Sequence, residues 1–309
     1  MDRRSWLWFL LLSSIWGASY LLIKIGLRDL SPEMVAFTRI ALAALVLLPF
    51  AASRGELAPL RGHLRVLALL GAVQVAGPFL LISVAEGAIS SSLAGILVAT
   101  APIFTALLAL RLDRDERSEG SRLAGVGIGI VGVAALFGLD LTGSGSMVLG
   151  GLAVVLAGVG YAVGGFVVKS RLRDAPPIGI VAVVMGASAL LLAPAALATL
   201  PSSAPALGPV AAMAGLGIAG TGIAFVIFYS LIASVGPAKA MLVSYIAPGF
   251  AVVYGAVFLS EGITAGKIIG LSLILAGSWL GAGGAQPVAA QPSAEASAAA
   301  FARSEAATR

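Results

Sequence analysis

The chain has 309 residues, 59% of them hydrophobic and 11% charged, with a formal charge of +5 and a mean hydropathy of +1.05. A soluble globular domain carries about 45–50% apolar and about 25% charged residues, so a soluble enzyme with one anchor is excluded. An outer-membrane barrel is excluded too, because its strands alternate apolar and polar residues. The absence of cysteine removes disulfides, thiolate metal sites and cysteine nucleophiles. The basic charge reads as Lys and Arg kept beside the cytoplasmic ends of membrane helices, not as nucleic-acid binding.

Roughly 20 apolar residues span a bilayer. The sequence divides into ten apolar segments, near 5–27, 32–51, 64–86, 92–111, 122–139, 148–171, 177–199, 207–232, 238–259 and 264–283. The expected fold is an all-α polytopic membrane protein. Met-Asp-Arg-Arg followed by a long apolar run without a small-residue cleavage site reads as a first transmembrane helix, not a removed signal peptide.

The first segment places Ser13, Trp16 or Gly17, Tyr20 and Lys24 on one helical face. Trp6 and Trp8, like Trp279 in the last segment, suit an interfacial belt. Trp16 lies mid-span, where with Tyr20 it can stack on an aromatic ring or serve in core packing. The second segment carries Arg39, roughly 10 Å from its far end at 1.5 Å per residue. A charge inside a span marks a candidate site. Arg39 can attract a substrate carboxylate, or it can pack and snorkel.

The third segment has Gln74 and Phe79 around Pro78, the eighth Thr221, Phe225 and Tyr229 four residues apart, and the ninth Ser244, Tyr245 and Pro248. Proline frees a backbone carbonyl of the preceding turn. In a membrane such carbonyls are tolerated against protein or a water-filled cavity. Pro78, Pro102 and Pro248 therefore point to a central cavity, a simple packing bend being the other reading. The pairs Gly125/Gly129, Gly160/Gly164, Gly266/Gly270 and Gly277/Gly281 let helices approach closely. Residues 285–309, rich in Ala, Ser, Pro and Gln, are expected to form a disordered tail.

An internal repeat organises these segments. Lys24, Leu27, Arg28, Asp29, Pro32 and Pro49 recur 145 residues later as Lys169, Leu172, Arg173, Asp174, Pro177 and Pro194. Glu116, Gly125 and Gly132 recur at the same offset as Glu261, Gly270 and Gly277, while Pro102 meets Pro248 at 146. Each half holds five helices, and an odd number inverts the second half. The divisions are 1–146, 147–284 and the tail 285–309. Inverted repeats are characteristic of secondary transporters, with substrate bound where the halves meet. Fifteen of the 19 Lys and Arg fall on the side of the chain start and four on the other, which places both termini in the cytoplasm.

The five-plus-five repeat, the Trp16-Gly17 run, the Ala101-Pro102 and Ala247-Pro248 pairs, and Glu261 followed by Gly270 and Gly277 resemble the EamA-type branch of the drug/metabolite transporter superfamily. The resemblance covers about residues 5–283. It implies export of amino acids or related metabolites across a bacterial inner membrane, without ATP hydrolysis.

All fourteen acidic residues fall in loops, at span ends or in the tails, and His63 falls in a loop. Glu86 and Glu261, near the outer ends of the third and ninth segments, are the nearest candidates for a titratable coupling group, and they read first as solvated helix-end charges. Proton-driven carriers keep a titratable group inside the bundle, so a facilitator is expected ahead of a proton antiporter. No Gly-x-x-x-x-Gly-Lys-Ser/Thr sequence is present, and neither an enzyme nor a cofactor is expected.

The expected substrate contacts are Trp16, Tyr20, Gln74, Phe79, Phe225, Tyr229, Ser244 and Tyr245, around a cavity with no fixed charge. Such a lining suits aromatic and other largely apolar amino acids, moved outward by alternating access. Expected partners are these solutes and the lipid bilayer, with the chain a monomer or homodimer. A drug or nucleotide-sugar carrier of the same fold, a proton-coupled antiporter, a channel and a membrane scaffold are the other readings.

Overall fold

Capping residues punctuate the chain where the apolar runs end. The computed structural model describes residues 3–112, 120–141, 144–236 and 240–281. Its helices are α1 (Arg3–Gly26), α2 (Pro32–Ser53), α3 (Leu64–Leu70), α4 (Gly77–Ala88), α5 (Ser91–Val98), α6 (Ala101–Leu112) and α7 (Gly120–Leu139). The second half holds α8 (Gly145–Arg171), α9 (Pro177–Ala198), α10 (Leu207–Ala214), α11 (Ala224–Val235), α12 (Val243–Leu259) and α13 (Ala265–Gly281). Ser31, Ser90 and Ser144 accept the N–H groups of Met34, Leu93 and Met147, so each hydroxyl satisfies an otherwise orphaned donor at a helix start. Pro32 and Pro177 occupy the first turns of α2 and α9, where no N–H partner is lost.

Among the described residues these thirteen α-helices make ten crossings. Three crossings are composite. A π-helical turn over Gly71–Ala76 joins α3 to α4, and another over Gly215–Ile223 joins α10 to α11. The break at Ala99–Thr100 divides α5 from α6. Pro78 accounts for the first widened turn. Its ring excludes the carbonyl four residues back, and the Gly77 N–H reaches the Ala72 carbonyl instead. No proline lies in the second. There the Thr221 hydroxyl donates to the Leu216 carbonyl at 2.9 Å, five residues back.

The packing obeys an inverted twofold exchange in which crossings one to five take the places of six to ten. Crossing 1 packs on crossing 9 as crossing 6 packs on crossing 4. Crossing 3 packs on crossing 6 as crossing 8 packs on crossing 1. The pairs 2–7 and 5–10 each map onto themselves. The turns near residues 27–31, 87–90, 140–141, 199–206 and 260–264 gather on one side, here called the far side. Hydrogen bonds join them: Ser31 Oγ to Thr199 Oγ1 at 2.8 Å, Ala206 N–H to Asp29 at 2.7 Å, and Thr264 to Asp140 at 2.5 Å. On the N-terminal side, Glu56 accepts from the Arg54 side chain and from the Gly179 N–H. Trp6, Trp8 and Trp279 are exposed near that side, as an interfacial belt requires.

Small residues set the closest approaches. A Cβ on Gly277 would meet the Gly129 nitrogen at 2.4 Å and the Gly125 carbonyl oxygen at 2.6 Å. The glycine faces of α7 and α13 are thus consumed within the chain. Gly277→Val is expected to lower stability by roughly 1–3 kcal/mol through overpacking against unyielding backbone, read as a lower midpoint of thermal unfolding in detergent. An unchanged midpoint would mean that α7 and α13 separate freely. Glu116, Lys239 and the tail 285–309 lie outside the described residues.

Candidate functional site

Crossings 3, 6, 7 and 8 enclose a cavity of about 100 Å³. Gln74 and Phe79 reach it from crossing 3, and Tyr161 and Val168 from α8. Ile180, Val181, Val184 and Met185 line it from α9, and Phe225 and Tyr229 from α11. One wall thus comes from the first half and three from the second. Gln74 sits in the widened turn before Pro78, so the kink delivers a polar amide to the cavity, as the sequence pattern suggests.

Four of the eight expected contact residues line the cavity: Gln74, Phe79, Phe225 and Tyr229. Trp16 stands behind Phe225 and Phe228, with ring centroids 6.1 and 5.1 Å away. Phe225 stacks on Tyr229 at 6.4 Å, so the aromatic wall continues from α1 into the cavity. Tyr20 lies under α5, its ring about 3.2 Å from where a Gly95 Cβ would be. It interacts electrostatically with Arg39 and Tyr161.

Ser244 and Tyr245 are placed elsewhere. The Ser244 hydroxyl donates to the Met241 carbonyl at 2.7 Å, and the Tyr245 hydroxyl to the Ser278 carbonyl at 3.2 Å. They hold α12 to its own first turn and to α13. The break before Pro102 also leads away from the cavity, because the Ser278 hydroxyl donates to the Ala99 carbonyl at 3.0 Å.

Arg39 changes the electrostatic character expected of the cavity. Its guanidinium carbon lies 3.9 Å from the centroid of the Phe79 ring, and its Nε–H donates to Thr221 Oγ1 at 2.9 Å. A fixed positive charge therefore borders a lining residue. Tyr161 is a lining residue without a place among the expected contacts. The repeat holds its signal, since Trp16 at an offset of 145 falls on Tyr161. Phe79 and Phe225 are likewise 146 apart, the offset shown by Pro102 and Pro248.

A larger recess of about 570 Å³ opens on the far side, lined by Lys24, Leu27, Arg28, Glu86, Ile89, Ser90, Leu259 and Glu261 among others. Neither carboxylate behaves as a solvated helix-end charge. Glu261, in the turn between α12 and α13, accepts the Ser91 N–H at 2.7 Å, the Ser92 N–H at 3.0 Å and the Ser92 hydroxyl. The second half thereby caps the N-terminus of α5 in the first, where the helix dipole favours an anion. Burial acts to raise the pKa of Glu261. The hydrogen bonds from Ser92 and Ser91 outweigh it and hold the carboxyl below its ordinary range.

Glu86 is 0% exposed, and among the described residues neither carboxyl oxygen has a hydrogen-bond partner. The Lys24 ammonium beside it donates instead to the backbone carbonyls of Glu86 and of Ile89, the latter at 2.8 Å. Its position two residues before the end of α4 conceals this burial from a one-dimensional reading.

Ten crossings in two inverted halves, with recesses between them, define a polytopic membrane transporter of the inverted-repeat class. The model of the EamA-like transporter family matches residues 4–138 and again residues 148–281, and the chain belongs to that family. It is 30% identical over 268 residues to the inner membrane transporter YedA of Escherichia coli K12, covering 84% of this chain and 85% of that one. A probable terminal-alkyne amino-acid exporter of Streptantibioticus cattleyicolor is 27% identical, covering 88% and 92% of the two chains. A probable amino-acid metabolite efflux pump of Escherichia coli K12 is 24% identical, covering 91% and 95%. One crystal structure superimposes with a TM-score of 0.65 at 21% identity, covering 91% of this chain and 98% of the other, a likeness of fold.

Proposed function

We propose that the protein exports amino acids, chiefly aromatic and other largely apolar ones, across a bacterial inner membrane by alternating access. The observation that carries this reading is the cavity between the halves, where an aromatic wall of Phe79, Phe225 and Tyr229 adjoins a guanidinium that has no acidic partner among the described residues. The side chain of such a solute lies against the aromatic faces, which also attract its ammonium. Its carboxylate lies toward Arg39, and the Gln74 amide and Tyr161 hydroxyl supply weaker polar contacts. Few strong contacts make for low affinity and broad selectivity. The exporter and efflux-pump relatives support amino acids as the class. Arg3, Arg4, Arg54, Arg61, Arg65, Arg171 and Arg173 on the N-terminal side make that side cytoplasmic.

In this scheme the far-side contacts, above all Glu261 on α5, hold the periplasmic side closed while the aromatic cavity loads from the cytoplasm. Proteoliposomes preloaded with unlabelled phenylalanine are expected to accumulate labelled phenylalanine transiently without any ion gradient. Tryptophan and methionine are expected to compete. No accumulation at neutral or acidic pH, with protein verified in the bilayer, would overturn the substrate assignment. Flux that neither saturates nor shows counterflow would make the protein a channel.

A further inference from the structure

We propose that Glu86 is a proton-binding site that links closure of the far side to proton uptake, so that transport responds to pH on that side. The inference rests on the alternating-access reading above. It begins from one observation: a carboxyl on a transmembrane helix is wholly buried, with both oxygens lacking donors, at the back of a recess that opens on the far side. A sealed anion without a donor is far more costly than a sealed neutral acid. In the closed form Glu86 is therefore held as the acid.

None of the described groups around it donates a hydrogen bond to the carboxyl. On α1, Lys24 spends its ammonium on two backbone carbonyls, and Tyr20 stands one turn further in. On α2, Arg39 is turned to Phe79 and Thr221. From α8, Tyr161 interacts with Tyr20 and Arg39. Glu261 beyond the recess is a like charge already satisfied by Ser91 and Ser92, and the N-terminus of α5 is occupied by it. When the halves part on the far side, water of the recess reaches the carboxyl and Lys24 is released from the carbonyls. The carboxyl then gives its proton to far-side water and faces the ammonium as an anion. On closure it takes one proton back from hydronium, and the water so formed leaves with the vestibule. A proton bound only in the closed form favours that form at low far-side pH by linkage.

The chain has no cysteine, so a single introduced thiol reports on one place. Ile89 lines the recess and is 2% exposed, and opening of the far side is expected to make it more accessible. An Ile89→Cys protein in vesicles is labelled with a membrane-impermeant maleimide from the far side between pH 5.5 and 8, with Glu86 intact or as Glu86→Gln. The ratio of the two rates at each pH cancels the chemistry of the thiol itself. The ratio is expected to rise at least roughly fivefold with pH, the lower end of ordinary linkage effects, while the Gln variant stays slow. Glu86→Asp, which keeps the acid, is expected to retain the rise and provides the same comparison if the Gln variant does not reach the membrane.

A flat ratio, with labelling that still responds to added phenylalanine, would overturn the proton site and leave the carrier intact. A thiol that never reacts in folded protein under any condition, though it titrates fully on unfolding, would overturn both.

Discussion

Arg39→Ala is expected to raise the half-saturation concentration for phenylalanine counterflow about tenfold or more. Hydrogen bonds to a charged group contribute about 1.5–3 kcal/mol each, and tenfold corresponds to about 1.4 kcal/mol. The geometry supplies the reason. The guanidinium is stacked 3.9 Å from the centroid of Phe79, which lines the cavity, and is tethered through Nε to Thr221. Arg39→Lys is expected to recover little, because an ammonium keeps the charge but neither the planar fork nor the stacking surface. Thr221→Val tests the tether alone and is expected to have a smaller effect on affinity. If Arg39→Ala lowers the unfolding midpoint but leaves half-saturation unchanged, Arg39 is a packing residue that joins crossing 2 to crossing 8.

Glu261→Gln is expected to lower stability by about 1.5–3 kcal/mol, the range for hydrogen bonds to a charged group, and to expose the Ile89→Cys thiol more often. Its carboxylate caps α5 across a sequence separation of 170 residues, so its loss weakens a helix start and a contact between the halves together. The pH dependence follows from the depressed carboxyl. Its contribution is fully present above the ordinary carboxylate value of 4.5, and it is lost as pH falls through the lower folded value. The advantage of the native protein over Glu261→Gln should therefore be constant from pH 8 to about pH 5 and shrink only in stronger acid. A difference that vanishes near neutral pH would mean that Glu261 does not act as an anion on α5. The neutral range is also where the Glu86 ratio is read, so the two carboxyl groups are separable by experiment.

The reach of the sequence can be judged from individual residues. Gln74, Phe79, Phe225 and Tyr229 could be found because proline, helical spacing and aromatic character all act within one segment. Tyr161 was equally within reach through the repeat, as the mate of Trp16 145 residues away. Ser244 and Tyr245 satisfied the same local pattern, yet the rotation of α12 turns them to Met241 and Ser278. The second widened turn at Gly215–Ile223 carries no proline and depends on a threonine hydroxyl bonding five residues back.

Composition, hydropathy and the repeat determined by themselves that the chain crosses a membrane ten times in two inverted halves. Those properties are settled segment by segment, since in lipid each span must satisfy its own backbone and be long enough to cross. Only the tertiary structure decided that Glu86 is sealed, that Glu261 caps a helix of the other half, and that Arg39 finds Thr221 across 182 residues. Burial and electrostatic partnership are distances between segments remote in sequence. A carboxyl two residues from a helix end is solvated or enclosed according to which neighbouring helix happens to cover it.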